Sequence, residues 1–209
     1  MVFDYISTQC IRSLGLLGIV LSLCFCMGWA DSWDGIRSAA DRIESISAEF
    51  VQEKQLPILA RPLISTGTLH FRKPESLRWE YHHPVRNILL MHRGSIQRYR
   101  ESEEGLKVQT GGSLQAMQFV MAEIANWFKG RFDISQMFTA RLESNRKIVL
   151  LPKEASFGKV IQKIELQLAD RPGLIDTVTI YESAQSFTRL TFKNAVLNID
   201  IPENLFKGA

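Results

Sequence analysis

The stretch from Thr66 to Tyr99, TGTLHFRKPESLRWEYHHPVRNILLMHRGSIQRY, limits the fold more than any other part of the chain. Its apolar residues recur at every second position, and turn residues interrupt the pattern at short intervals. Leu69 and Phe71 alternate with His70 and Arg72. Lys73-Pro74-Glu75-Ser76 then breaks the run, because Pro74 fixes its φ and has no N–H. Leu77, Trp79 and Tyr81 alternate with Arg78, Glu80 and His82, and His83-Pro84 turns the chain again. Asn87 to His92 and Ser95 to Arg100 follow as strands on either side of Arg93-Gly94. Side chains of a strand point to opposite faces in turn. One face therefore collects Leu69, Phe71, Leu77, Trp79, Tyr81, Leu89 and Met91, and the other His70, Arg72, Arg78, Glu80, His82 and His92. Matching the faces places Phe71 opposite Trp79 and Tyr81 opposite Leu89. The expectation is a curved antiparallel sheet with one aromatic, apolar face and one wet, charged face.

The rest of the chain extends this sheet. Ser32 or Asp31 can cap a helix, and Ile36, Ala39, Ala40, Ile43 and Ile46 recur at helical spacing, which predicts a helix over Trp33–Ile46. Ser47–Gln55 changes to strand character. Leu56–Ile64, LPILARPLI, holds Pro57 and Pro62 and reads as an extended apolar loop, either exposed or tucked onto the core. Leu106–Thr110 reads as a short strand and Gly111-Gly112 as a joint. Ser113 opens a second helix whose apolar stripe runs through Leu114, Met117, Val120, Met121, Ile124, Trp127 and Phe128, with Gly130 just past its end. Strand rhythm returns over Phe138–Glu143, Lys147–Leu151, Val160–Leu168, Leu174–Glu182 and Ser186–Ala195, and an extended tail closes the chain. The pattern gives roughly eleven strands and two or three helices in one domain over residues 31–209.

The first thirty residues differ in kind. Leu14–Met27 is almost wholly apolar, the length of a signal-peptide core and short for a membrane span. Gly28-Trp29-Ala30 supplies small residues for cleavage after Ala30, so residues 1–30 read as a signal peptide. An uncleaved anchor is the competing reading. All three cysteines, Cys10, Cys24 and Cys26, lie in this segment, so the expected mature chain has neither disulfides nor thiol chemistry. Leu23 and Phe25 are too bulky to precede a lipid-modified cysteine. Export to a periplasm follows.

Catalytic signatures are weak. No GxSxG, P-loop or GxGxxG is present. The four histidines, His70, His82, His83 and His92, fall in one stretch but without metal-ligand spacing, and read as solvated strand residues. Glu101, Glu103 and Glu104 read as a wet turn. The net charge of +3 and the lack of basic runs argue against nucleic acid. The expectation is a monomeric non-enzyme without metal or cofactor.

With these residues in view, the chain resembles the LolA family of periplasmic lipoprotein carriers. The resemblance spans nearly the whole mature chain and is carried by Phe50-Val51-Gln52, Gly67-Thr68-Leu69, Lys73-Pro74, Leu77-Arg78-Trp79, Pro84, Leu89–Gly94, Leu151-Pro152-Lys153 and Ile201-Pro202…Phe206. It implies an incomplete antiparallel β-barrel with an α-helical lid over an apolar cavity. It implies that acyl chains pass from an inner-membrane ABC-type lipoprotein-releasing transporter to a LolB-like outer-membrane receptor. By position, Leu77, Trp79 and Tyr81 match cavity-facing residues. The expected acyl-chain contacts are Leu69, Phe71, Leu77, Trp79, Tyr81, Leu89 and Met91 on the sheet, and Met117, Val120, Met121, Ile124 and Trp127 on the lid. Lys73 stands where the family usually has an arginine that latches lid to barrel, and lysine lacks arginine's planar fork of donors. The LPILARPLI stretch departs from the family and looks like LolA-related proteins of envelope lipid or polyene pathways. Two alternatives stand beside the lipoprotein carrier: a carrier of another acylated envelope lipid, and an envelope sensor that binds lipidated proteins.

Overall fold

The computed structural model describes residues 32–109 and 113–208, with side chains of 113–119 excepted. The signal-peptide reading of residues 1–30, the Gly111-Gly112 joint, and the side chains of Leu114 and Met117 lie outside the described residues. The chain runs α1 (Trp33–Asp41), β1 (Ser45–Gln55), β2 (Leu63–Arg72), β3 (Ser76–His83), β4 (Asn87–His92), β5 (Ser95–Ser102), β6 (Gly105–Val108), α2 (Ser113–Phe128), β7 (Phe138–Glu143), β8 (Lys147–Pro152), α3 (Ala155–Gly158), β9 (Lys163–Leu168), β10 (Ile175–Tyr181), β11 (Phe187–Leu197) and a 3-10 turn (Glu203–Phe206). The strands form one eleven-stranded antiparallel sheet in the order β6-β5-β4-β3-β2-β1-β11-β10-β9-β8-β7. Its outer strands do not pair with each other, so the barrel is incomplete, as the sequence led us to expect. Among these residues no helix is long and apolar enough to cross a membrane.

The core lies on the concave face. Phe50, Leu69, Phe71, Leu77 and Ile148 are almost wholly buried there, and Met121, Phe128 and Phe132 come down on them from α2 and the turn after it. Phe71 stacks on Phe128 at 5.3 Å between ring centres. Gly130 ends α2 as the sequence suggested. It sits at φ +69°, and its N–H donates to the Trp127 carbonyl. A Cβ there would lie 3.0 Å from Ala40 Cβ, so the missing side chain also lets α1 pack against the end of α2.

The register differs from the expected one. Leu69 faces Trp79 and Phe71 faces Leu77. Trp79 faces Leu89, and Tyr81 faces Asn87. Ser76 belongs to β3 and pairs with Arg72, so the β2–β3 turn is tighter than the sequence suggested. The offset is even, so every side chain keeps its predicted face.

The first helix is shorter than predicted. It stops at Asp41 because other groups take its last carbonyls: Lys73 Nζ donates to Ala40 and Asp41, and Asn198 Nδ2 to Arg42. Ile46 falls instead in β1, whose buried positions Ile46, Ala48 and Phe50 follow the strand period. Leu63 and Ile64 belong to β2 rather than to the preceding loop, and Ile58 in that loop is exposed. The strand predicted from Val160 starts only at Lys163, with the short α3 before it and Val160 exposed.

The convex face is not wet. Residues 199–208 cross it as a strap. Arg72 Nη1 donates to the Ile201 carbonyl at 2.8 Å, and Arg78 Nη1 to the carbonyls of Leu205 and Gly208 at 2.9 and 2.8 Å. Phe206 stacks on His92 with rings 9° from parallel, and Ile88, Leu90, Ile201 and Phe206 are buried. His92 accepts or shares a hydrogen bond with Ser76 at 2.8 Å, so it is not a solvated histidine. Half-burial and the nearby Arg78 charge push the His70 pKa down.

Gly67 of β2 is wedged between the backbone of β3 and the ring of Phe50. A Cβ there would stand 2.0 Å from the Glu80 carbonyl oxygen and 2.7 Å from the Phe50 ring. Gly67→Ala is expected to cost at least the roughly 1–3 kcal/mol typical of overpacking, because the nearest obstacle is backbone and cannot rotate away. Urea unfolding of the variant checks this, and a loss under about 0.5 kcal/mol would contradict the packing described.

Candidate functional site

Between α2 and the C-terminal half of the sheet lies a cavity of about 90 Å³. Its roof is the α2 face formed by Val120, Glu123, Ile124 and Trp127, at helical spacing of three and four. Its floor comes from β9 to β11: Ile164, Ile175, Val178, Ile180, Leu190 and Phe192. Trp79 of β3 closes one side, and Phe138 and Phe157 the other. Phe138 and Phe157 meet edge to face at 5.6 Å, and Trp79 and Phe192 at 6.1 Å. Alternation along β9 and β11 turns these side chains inward. In β10 the spacing from Ile175 to Val178 is three, because a bulge lies between Ile175 and Thr177.

Of the twelve residues expected to contact acyl chains, the structure brings Trp79, Val120, Ile124 and Trp127 to this cavity. Val120 is half-exposed at its rim. Leu69, Phe71, Leu77 and Met121 are packed solid beside it. Tyr81 lies farther along β3, where its hydroxyl donates to Gln52 Oε1 at 2.8 Å. Burial pushes that hydroxyl up to about 12, with the Arg98 charge opposing. Leu89 is partly buried against the core, and Met91 lines a separate depression with Ile96, Ala122 and Ala125. The side chain of Met117 is not among those described. The cavity floor was the part missed from sequence. Its signal was present in the alternation of Lys163–Leu168 and Phe187–Phe192.

Lys73, the expected lid latch, lies against the end of α1. Its ammonium reaches the carbonyls of Ala40 and Asp41 at 3.3 and 2.8 Å, with the Glu44 carboxylate at 3.6 Å. It thus ties β2 to the C-terminus of α1, where a cation also meets the negative end of the helix dipole. Point-charge donation suffices here, since the two acceptors are successive carbonyls rather than a planar carboxylate.

The cavity wall is apolar with one exception in kind. Glu123 is buried, and its Oε1 accepts a hydrogen bond from Ser135 Oγ at 2.9 Å. Ser135 Oγ in turn accepts from the backbone N–H groups of Met137 and Phe138. Burial pushes the Glu123 carboxyl up, with Ser135 and the Lys153 charge opposing. Among the described residues, Glu123 Oε2 and the indole nitrogens of Trp79 and Trp127 have no hydrogen-bond partner. Among the described residues, no three His, Cys, Asp or Glu side chains come together as a metal site.

Comparison with known proteins gives a family. The family model of the outer membrane lipoprotein carrier protein LolA matches residues 41–209. No curated protein matches the sequence. Solved structures of similar shape include a DUF1329 family protein from Desulfovibrio piger (12% identity, 83% of this chain and 95% of that one, TM-score 0.46). A LolA superfamily protein from Nitrosomonas europaea matches at 11% identity over 84% of this chain and 97% of that one, with a TM-score of 0.41. The Pseudomonas aeruginosa MucA/MucB complex contains a chain matching at 15% identity over 87% of this chain and 61% of its own, TM-score 0.42.

Proposed function

The chain belongs to the LolA family, and on that premise we propose that it is a carrier of acyl chains, taking lipoproteins through a periplasm from an inner-membrane transporter to an outer-membrane receptor. The observation that carries this reading is the apolar cavity roofed by a single amphipathic helix. Each methylene hidden from water is worth about 0.8 kcal/mol, so a long acyl chain holds its owner in a membrane unless a carrier offers comparable apolar surface. The sheet offers that surface on Ile164, Val178, Leu190 and Phe192. The helix α2 covers it with Ile124 and Trp127.

The cavity's size makes the helix the moving part. At about 90 Å³ it is smaller than the roughly 150 Å³ apolar cavity that admits one benzene. An acyl chain therefore enters only by displacing α2 from the sheet. The displaced apolar face of α2 then competes with the cargo for the same floor. Net affinity is a difference between two burials, and this lets a carrier release its load. Lys73 and Gly130 hold α1 against the sheet and the end of α2, which gives the moving helix a fixed anchor at its C-terminal end.

A diacylated lipopeptide added to the purified protein is expected to shift the emission of Trp79 and Trp127 and to bind at micromolar or tighter affinity by calorimetry. The same peptide without acyl chains is expected to do neither. Unchanged emission together with no heat of binding would remove the carrier reading.

A further inference from the structure

We propose that a basic recess at the end of the sheet where β3 turns into β4 binds the phosphate of an acylated amphiphile, so that phosphate-headed lipids are cargo beside lipoproteins. This rests on the carrier reading and adds a class of cargo to it. The recess holds about 320 Å³ and is lined by Arg98 and Arg100 together with Gln52, Tyr81, His83 and Asn87. At roughly 30 Å³ for one water, that is room for a phosphate group and the atoms esterified to it. Arg98 pairs with Leu89 and Arg100 with Asn87 across the β4–β5 ladder, so both stand on the inward face with Met91 and Ile96. Tyr81 lies two residues beyond Trp79 on the same face of β3, about 7 Å along the strand. Trp79 closes one side of the apolar cavity. An acyl chain lying in that cavity past Trp79 therefore brings its head to the recess.

The recess offers positive charge and donors. Among the described residues no carboxylate lines it, and neither Arg98 nor Arg100 forms an ion pair. Arg78 and Arg86, by contrast, are both matched to Glu80. Arg98 is half-buried, and its Nε donates to Asn87 Oδ1 at 3.3 Å, which engages one of its five N–H groups. Gln52 Oε1 accepts from the Tyr81 hydroxyl. Both side-chain amide oxygens of the recess are thus taken by protein donors. Lys107 pairs with Arg100 across the β5–β6 ladder and adds a third cation, matched by Glu104. Glu101 alternates to the other face of β5, and its Oε2 accepts from the Arg86 N–H. Unpaired cations two residues apart on one strand face repel each other, and an anion between them removes the repulsion. A neutral glyceride brings no such charge. A fatty carboxylate has two oxygens, enough for one guanidinium fork. A phosphate has more acceptor oxygens and can meet two forks at once.

The test is displacement of the fluorophore N-phenyl-1-naphthylamine from the full chain by dioctanoyl phosphatidic acid and by dioctanoylglycerol, which has the same chains and no phosphate. The phosphatidic acid is expected to bind about tenfold more tightly, the ratio of one hydrogen bond to a charged group, and the ratio is expected to shrink with added salt. The double variant Arg98→Gln Arg100→Gln is expected to bring the phosphatidic acid down to the level of the diacylglycerol. Unchanged diacylglycerol binding shows that this variant is folded, and the exposed Arg100→Gln alone is expected to lose part of the preference. Arg61→Gln, an exposed arginine outside the recess, is expected to keep all of it. Inorganic phosphate, titrated calorimetrically, is expected to bind about a hundredfold more weakly than the phosphatidic acid, because it brings no methylenes. Phosphate binding as tight as that of the phosphatidic acid would mark a site for the free anion and overturn the proposal. Equal binding of the two lipids to the wild type, or an unchanged preference in the double variant, also overturns it and leaves the carrier reading standing. If neither lipid displaces the fluorophore, the carrier reading fails and takes this proposal with it.

Discussion

Phe206→Ala is expected to lower stability by about 3–5 kcal/mol, the range for truncating a buried phenylalanine. The ring is 2% exposed, stacks on His92 and has the Arg72 guanidinium over it at 5.2 Å from its centre. Removing it opens a gap beside Leu90, which borders the same depression as Phe206. In a domain of this size the loss corresponds to a fall in Tm of roughly 6–20 °C. Thermal unfolding followed by circular dichroism measures it, with the exposed Lys207→Ala as a control expected within about 0.5 kcal/mol of wild type. A Phe206→Ala loss under 1 kcal/mol would mean that the strap is not part of the cooperative fold. Lipopeptide binding is expected to survive in the folded variant, because the cavity lies on the opposite face.

The second large effect is expected at Arg78. Its Nε and Nη2 both meet Glu80 Oε2, at 2.8 and 2.7 Å, and its Nη1 holds the two strap carbonyls. Arg86 Nε donates to the other Glu80 oxygen at 2.8 Å. Arg78→Ala leaves a buried carboxylate with half its partners and two carbonyls without a donor. The expected cost is roughly 3 kcal/mol, at the lower end for breaking a buried pair because Arg86 stays in place. The double variant Arg78→Leu Glu80→Leu is expected to be less destabilised than the single one, since no charge is then left stranded. A double variant worse than Arg78→Ala would contradict this account.

The same cluster sets a pH dependence. Burial pushes the Glu80 carboxyl up, but hydrogen bonds from Arg86 and Arg78, with their charges, outweigh it and hold its pKa below the ordinary carboxylate value. The folded state then binds fewer protons than the unfolded one. The contribution is present above the unfolded pKa of about 4.3 and lost as pH falls through the lower folded value. Glu80→Gln is expected to flatten the fall of stability between roughly pH 5 and pH 2. Glu165 and Glu203, also held low, act with the same sign in both proteins and supply the remaining slope.

How far the sequence could be read depended on whether one face or two are covered. Leu77, Trp79 and Tyr81 alternate with charged residues, and their inward direction was plain. Gly130 followed from the end of an apolar stripe, and its positive φ agrees. Asn87–His92 was harder. Ile88, Leu89, Leu90 and Met91 are consecutive apolar residues, the sign of a strand covered on both sides. The Ile201…Phe206 tail supplied the second cover, but tail and strand lie more than a hundred residues apart, and no local rhythm connects them. For the same reason Arg78 and Glu80 looked wet from sequence: nothing near them announces the carbonyls of Leu205 and Gly208. The cavity floor was obscured by the β10 bulge, which breaks the period of two between Ile175 and Val178. The Glu123 environment depended on Ser135, beyond the helix and its stripe.

The strand order has a kinetic meaning. The middle of the sheet joins β1 to β11, so that Ile46 lies beside Leu197. Every other neighbouring pair follows directly in sequence and can form as a local hairpin. Closing the centre means bringing together segments separated by almost the whole domain, the costliest loop in the topology. A chain emerging from its amino end can form two separate meanders early, but it joins them only when its last strand arrives.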